Sequence, residues 1–372
     1  MSYLFSLSLH NFRCYDSAKI DDISAGLVVI HGPNGAGKTN ILEAISLLSP
    51  GRGLRKAKML EMHRHGAGPP WAVSAWVMSG DISNQIGTGL EAQTSKRTVR
   101  INGVTSKSQA ALADYFSCLW LTPQMDGLFL GGASERRRFL DRMIYSFDPA
   151  HAGRVNRYEN VMRQRLKILQ EGGGDPSWLD ALEAQIAETA IAISASRLEF
   201  VAQLNQFISG LPDGDFPKAA LEYCGFQEVE LLGSGHSALQ AEEALRIVYK
   251  DARGGDGRSG RCEFGPHRAD LRVVFAEKQM PADQSSTGEQ KSLLIGIVLA
   301  HAQMMAQHYG GVPVLLLDEV AAHLDEHRRA ALYDILLDLG AQVFLTGTDV
   351  SVFEHIRDTA QFFHVQEGRI CA

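Results

Sequence analysis

Three features of this 372-residue sequence predict an α/β fold interrupted by an inserted helical domain. A short apolar run, Leu27-Val28-Val29-Ile30, leads into a glycine-rich loop and then a segment of helical period, the way a buried strand connects to its crossover helix. A second apolar run, Val314-Leu315-Leu316-Leu317, ends in two acids, Asp318 and Glu319. Between these runs lies a stretch with helical spacing. The boundaries expected are 1–130 and 262–372 for the two parts of the α/β head, with 131–261 as the helical insertion.

In chain order, residues 3–9 alternate as a strand, and Ile41, Leu42, Ala44, Ile45 and Leu48 recur at helical spacing behind the glycine loop. Residues 71–77 and 97–104 predict strands of a meander, with Asn102-Gly103 as a hairpin turn. Cys118-Leu119-Trp120-Leu121 predicts another buried strand, ended by Thr122-Pro123-Gln124. Val155, Tyr158, Met162, Leu166 and Leu169 mark an amphipathic helix, and residues 171–177, including Gly173 and Gly174, predict a turn that caps the next one. Leu179, Leu182, Ile186, Thr189, Ile193, Ser196, Phe200, Gln203 and Phe207 then alternate three and four apart. That heptad-like seam suits either a short antiparallel hairpin or two ordinary packed helices. Residues 251–261, rich in glycine and charge, predict a mobile loop or a boundary. Beyond them, strands at 271–275, 312–317 and 342–345 and helices near 288–307 and 326–339 restore the α/β pattern.

Composition narrows the function classes. With 45% hydrophobic and 21% charged residues the chain is ordinary for a globular protein, which excludes disorder as its main state. No apolar stretch reaches the ~18 residues of a membrane span, and the N-terminus lacks the basic flank and cleavage site of a signal peptide. Five scattered cysteines without a C-x-x-C pair give neither a disulfide framework nor a zinc site, so a cytoplasmic protein is expected. The net charge of −7 argues against a polyanionic partner, yet the charge is segregated. Residues 52–107 hold nine basic against three acidic side chains, and residues 131–170 nine against four. That permits a nucleic-acid surface on an acidic body, with Arg52, Arg55, Lys56, Lys58, Arg97 and Arg100 as candidate DNA contacts; solvated faces scattered over different sides are the alternative.

Gly32-Pro33-Asn34-Gly35-Ala36-Gly37-Lys38-Thr39 fits G-x-x-x-x-G-K-[ST] in its strand–loop–helix context. Glycines let successive backbone N–H groups wrap phosphates, the helix start adds partial positive charge, Lys38 reaches the β/γ-phosphates, and the Thr39 hydroxyl ligates Mg²⁺. The strand ending in Asp318 and Glu319 supplies a metal-side carboxylate and a group to orient the attacking water. A second anion-binding helix start is expected at Ser285-Ser286-Thr287-Gly288-Glu289-Gln290-Lys291, with free N–H groups.

Further segments extend the pattern: Leu9-His10-Asn11-Phe12-Arg13, Gly51-Arg52-Gly53-Leu54-Arg55, Pro123-Gln124, Arg136-Arg137-Arg138-Phe139-Leu140-Asp141, Gly265-Pro266-His267-Arg268, and His323-Leu324-Asp325-Glu326-His327-Arg328-Arg329. In order and spacing the chain resembles the ATP-binding-cassette superfamily, in its chromosome-structure and recombination branch. The resemblance implies a P-loop NTPase of the ABC/SMC-head type, with ATP and Mg²⁺ as cofactors and Gln124 as a further nucleotide and metal ligand. It implies an ATP-dependent homodimer in which Lys38 of one subunit and Ser286 and Gly288 of the other share a γ-phosphate, with Asp325 near the axis. It further implies binding of double-stranded and gapped DNA in repair, recombination and replication restart, with RecO and RecR partners that help load the RecA recombinase. Hydrolysis would be slow and serve release.

Departures from the pattern are Thr287, Ala269, the spacing of Asp126-Gly127-Leu128, and Thr346 and Thr348 where transporter ATPases keep a switch histidine. The alternative readings are a transporter energising subunit and a structural dimer that binds ATP without cutting it. A long-armed chromosome ATPase does not fit, because the hairpin helices hold only about 20–30 residues each, roughly 30–45 Å.

Overall fold

A computed structural model describes residues 2–371, apart from 65, 69, 92–95, 173–174 and 226; Gly173 and Gly174 of the expected turn therefore lie outside the described residues. The chain divides into two compact units, the first of residues 1–126, 213–216 and 294–372, the second of 127–212 and 217–293.

The first unit opens with strands β1 (Ser2–Phe12), β2 (Tyr15–Ile20) and β3 (Leu27–His31), then helix α1 (Lys38–Ser46). Strands β4 (Trp71–Ser79), β5 (Ile82–Leu90), β6 (Arg97–Ile101), β7 (Val104–Thr105) and β8 (Cys118–Leu121) follow. The second unit contributes α2 (Ala133–Phe147), α3 (Ala150–Gln170), α4 (Pro176–Gly210), β9 (Ala219–Cys224), α5 (Gln227–Gly233), α6 (Ala238–Ser259), β10 (Asp270–Phe275) and β11 (Met280–Pro281). The division falls within α7 (Thr287–Tyr309), and the chain ends with β12 (Val314–Leu317), α8 (Glu326–Leu339), β13 (Val343–Gly347), β14 (Gln361–Gln366) and β15 (Arg369–Cys371).

Two sheets make the first unit. One is antiparallel, in the order β2-β1-β4-β5-β6-β7. Its β6–β7 hairpin turns at Asn102-Gly103, both with positive φ, as a two-residue turn between twisted strands requires. The other runs β15-β14-β3-β13-β12-β8, parallel except for the edge strand β15. Strand β12, and β3 up to His31, read as continuous apolar runs because side chains on both faces are buried. One core unites the inner face of the antiparallel sheet, α1 and one face of the parallel sheet. The P-loop follows β3 and the two acids follow β12, so both sit at C-terminal strand ends, where ligands bind in open α/β sheets.

In the second unit α3 and α4 pack against each other around a core of Tyr158, Leu182, Ile186, Ala190, Ile193 and Leu245. The expected seam lies entirely on α4, a single helix of 35 residues capped by Asp175, which accepts from the Ser177 N–H. The seam holds through Phe200. Beyond it, Val201, Leu204 and Ile208 are buried in place of Gln203 and Phe207. A helix of 3.6 residues per turn drifts off a strict seven-residue repeat by about 20° per heptad.

Two expectations are corrected. Residues 251–259 form the last turns of α6 and are no loop. The buried Asp256 takes Arg165 Nη1 at 2.5 Å, and the helix ends only at Gly260, in the left-handed region. Residues 262–293 group with the second unit, where the α/β head had been expected to resume. The reason is β10, which pairs antiparallel with β9, while Arg136 of α2 grips Asp270 through two 2.8 Å hydrogen bonds.

Candidate nucleotide-binding site

The loop between β3 and α1 needs its glycines. Gly32, Gly35 and Gly37 have φ of 146°, 77° and 117°, and a Cβ on Gly37 would stand 2.6 Å from both Cys14 Sγ and the Tyr15 hydroxyl oxygen. Tyr15 donates to the Gly37 carbonyl at 3.1 Å, and the Gly368 N–H donates to the Ala36 carbonyl at 3.3 Å. The β1–β2 turn and the β14–β15 turn thus both brace the loop. Behind it, the buried Glu43 of α1 receives Arg13 Nε and Nη2, so the Asn11-Phe12-Arg13 segment serves as an anchor.

The Lys38 ammonium donates to the carbonyls of Gly32 (2.7 Å) and Pro33 (2.9 Å), and burial lowers its pKa. The Thr39 hydroxyl lies 3.0 Å from both carboxylate oxygens of Asp318. Burial raises the Asp318 pKa, against the hydroxyls of Thr346 and Thr39. Glu319 adopts φ 54°, a left-handed conformation uncommon for a residue with a side chain.

Thr346 was not among the expected site residues. Strand β13 lies between β3 and β12, which places its Thr346 beside the acids at the end of β12. Its buried hydroxyl donates to Asp318 Oδ1 at 2.7 Å and accepts from the Glu319 N–H at 2.9 Å. One hydroxyl thus fixes the carboxylate and the strained backbone together. The signal in the sequence was the threonine standing in place of a switch histidine.

Gln124 is exposed on the turn after β8, and Asp325 is the N-cap of α8, accepting from the Arg328 N–H. Ser286 and Gly288 belong to the second unit. The helix start expected to offer free N–H groups carries its own anion. Glu289 accepts from the Ser286 N–H and hydroxyl, both at 2.8 Å, and is paired with Lys278, which with Ser286 holds its pKa down at about 2. This is a capping box, so a phosphate that takes the Ser286 N–H or hydroxyl must displace a carboxylate.

The candidate DNA contacts also change. Arg97 is corrected to a structural residue: its guanidinium donates to the carbonyls of Gly51 and Leu47, to Gln109 and to Thr88, and burial lowers its pKa to about 10. Arg55 is exposed, donates to Asn40 at 2.9 Å and lies 3.7 Å from the buried Glu43. Arg52, Lys56, Lys58 and Arg100 are exposed, with Lys58 near Glu61 and Arg100 near Glu91.

Comparison with known proteins adds the family. The model of the RecF/RecN/SMC N-terminal domain matches residues 3–370. The "DNA replication and repair protein RecF" of Rhizobium johnstonii is 46% identical over 372 residues, covering 99% of this chain and 98% of that one. The structure of "the recombination mediator protein RecF-ATP in RecFOR pathway" matches at TM-score 0.84 and 25% identity, covering 100% of this chain and 97% of the other. A Pyrococcus furiosus Smc head domain with an extended coiled coil, bound to the C-terminal domain of ScpA, shares the fold at TM-score 0.53 and 16% identity, covering 100% and 95%.

Proposed function

This chain belongs to the RecF family of the RecF/RecN/SMC proteins, and from that premise we propose an ATP-gated DNA-binding protein of replication and repair. The observation that carries the reading is the convergence of Lys38, Thr39, Asp318 and Glu319 beyond the ends of β3 and β12, with Thr346 of the intervening β13 holding the two acids. The loop suits a triphosphate, because Gly32, Gly35 and Gly37 take positive φ and so allow the backbone in which successive N–H groups can face one anion. Thr39 and Asp318 form an oxygen-only donor pair of the kind Mg²⁺ takes, with Gln124 as the further ligand the family implies. Bound there, Mg²⁺ would neutralise charge on the β- and γ-phosphates. Lys38 positions the phosphates, and Glu319, its backbone held by Thr346, orients water.

The composite site shared across a two-fold dimer is what the family resemblance implies, with the loop in the first unit and Ser286 and Gly288 in the second. In that dimer Ser286 and Gly288 would meet the γ-phosphate held by Lys38 of the other subunit, and Asp325 would lie near the axis. DNA that favours the dimer must then tighten ATP binding, by linkage. Clamping of double-stranded or gapped DNA, slow hydrolysis for release, and RecA loading with RecO and RecR complete the reading. Repair proteins 46% identical over the whole chain speak against a transporter subunit.

The test is sizing with and without ATP, crossed with gapped and blunt duplex DNA. Lys38→Met should abolish ATP binding, and Glu319→Gln should trap a long-lived ATP dimer. Ser286→Arg should leave monomer ATP affinity near wild type and remove the dimer. A wild-type chain that never dimerises with ATP, or a Ser286→Arg protein that still does, overturns the composite site. For DNA, reversal at Arg52 and Lys58 is the cleaner probe, since Arg55→Glu would set an acid beside Glu43. Loss of affinity with a shallower salt slope is expected.

A further inference from the structure

Two sequence motifs take no part in the nucleotide site, the arginine run 136–138 and the segment Gly265-Pro266-His267-Arg268. The second unit folds them around one cavity of about 120 Å³, lined among others by Ser134, Arg137, Arg138, Arg197 and His267. Its wall also holds the acids Asp141 and Glu159, the latter paired with Arg163, so three guanidiniums line it against two carboxylates. Arg136 is matched by Asp270, and Arg197 by Asp141 through hydrogen bonds of 2.9 Å to both carboxylate oxygens. Asp141 Oδ1 also meets His151 Nε2 at 2.8 Å, so that carboxylate is fully engaged. His267 Nδ1 lies 2.7 Å from the Tyr158 hydroxyl and Nε2 lies 3.0 Å from the Cys262 carbonyl; burial and the charges of Arg137 and Arg268 lower the pKa of this imidazole, against the Cys262 hydrogen bond.

Arg137 is the surplus cation. Its guanidinium donates to the Ala269 carbonyl through Nη1 and has no ion pair among the described residues; burial and the neighbouring Arg197 disfavour its charge, only partly offset by Asp141 and Asp270. A half-buried guanidinium that faces another one calls for an anion. At the rim, the Ser134 hydroxyl stands in the first turn of α2, and the Arg138 side chain is 53% exposed. A planar fork, a hydroxyl and a rim cation around a small cavity match a tetrahedral oxyanion with several terminal oxygens.

We propose that this cavity of the second unit is a phosphoryl-binding site, separate from the nucleotide loop, with Arg137 as its central ligand. The group it takes is a phosphate, free or carried on the end of a nucleic acid. The site rests on geometry within one unit and is independent of the composite ATP site proposed above.

The test is equilibrium dialysis of radiolabelled inorganic phosphate against the full chain, with a saturating non-hydrolysable ATP analogue to fill the nucleotide loop. One equivalent should bind, with sulfate as a competitor. Arg137→Gln should weaken phosphate at least tenfold while ATP affinity and melting temperature stay near wild type. Ser134→Leu, a substitution at an exposed rim position, should obstruct entry without touching a charge. Competition by a 5′-phosphorylated duplex, and none by its dephosphorylated twin, would identify the source as a nucleic-acid end; competition by neither would identify a free phosphate. Phosphate binding that Arg137→Gln leaves unchanged, absence of binding to wild type, or displacement by acetate as readily as by sulfate would each overturn the proposal.

Discussion

The two units solve the problem of a unique core in opposite ways. In the first, β12 and β8 are apolar along their length and β3 up to His31, and the buried charges Lys38, Glu43 and Asp318 gather at and behind the glycine loop. In the second, charges sit inside. Arg165, fully buried, donates to Glu183, Asp256 and the Tyr249 carbonyl, tying α3 to α4 and α6. Arg197 ties α4 to α2 through Asp141 and to the 265–268 segment through the Pro266 carbonyl. A buried strand takes its register from its apolar pattern and from the connections at its ends. Helices whose seam is interrupted by polar residues can slide, and a buried ion pair with satisfied partners penalises every register but one. Such pairs specify more than they stabilise.

The largest effect expected is from Arg165→Met. Removing one partner of a buried ionic cluster costs about 3–5 kcal/mol, so the second unit should melt at lower denaturant while the first still binds ATP. Replacing Arg165, Glu183 and Asp256 together by apolar residues should cost less than the single change; if it costs more, the cluster stabilises outright and the contrast with the first unit fails.

Acid should expose the same contrast. The Arg197 guanidinium and His151 hold the Asp141 carboxyl well below its usual range, against its burial. A depressed folded-state pKa contributes stability that is complete above the unfolded value of about 3.9 and is lost as pH falls toward the folded one. Loss of second-unit helix should therefore begin near pH 4, followed by circular dichroism. Asp141→Asn should flatten that acid limb at the cost of lower stability at neutral pH.

Within the first unit, Thr346→Val is the counterpart. It leaves the Glu319 N–H and a buried Asp318 oxygen short of a partner, about 1–3 kcal/mol. Hydrolysis should fall more than ATP affinity, and Thr346→Ser should restore it. An equal loss in both would make Thr346 merely structural.

The smallest effect tests the helical end of α6. A Cβ on Gly255 meets nothing within 4 Å, so Gly255→Ala should stabilise by roughly 0.5–1 kcal/mol in thermal melts. At Gly257 the new Cβ would lie 3.2 Å from the Leu169 carbonyl, and that gain should shrink or reverse. Destabilisation at both positions would mean that the segment is not the helix described.

The sequence by itself determined whatever depends on local order. The glycine loop, its flanking strand and helix, the apolar run ending in Asp318 and Glu319, and the Asn102-Gly103 hairpin are written in neighbouring residues, because backbone conformation and burial period act over a few positions. The tertiary structure alone decided what depends on partners distant in the chain. Residues 251–259 read as a loop from their glycines, and they are helical because Asp256 is held by Arg165, 91 positions away. Arg97 read as a surface cation, and its donors are consumed by carbonyls of a segment some 50 residues earlier. Strand β10 read as part of the α/β head and joined the other unit because its partner is β9. Thr346 gained its place only because the sheet order inserts β13 between β3 and β12. Local propensity is a weak term, and a buried charge or an unpaired strand edge outweighs it wherever the fold supplies the missing partner.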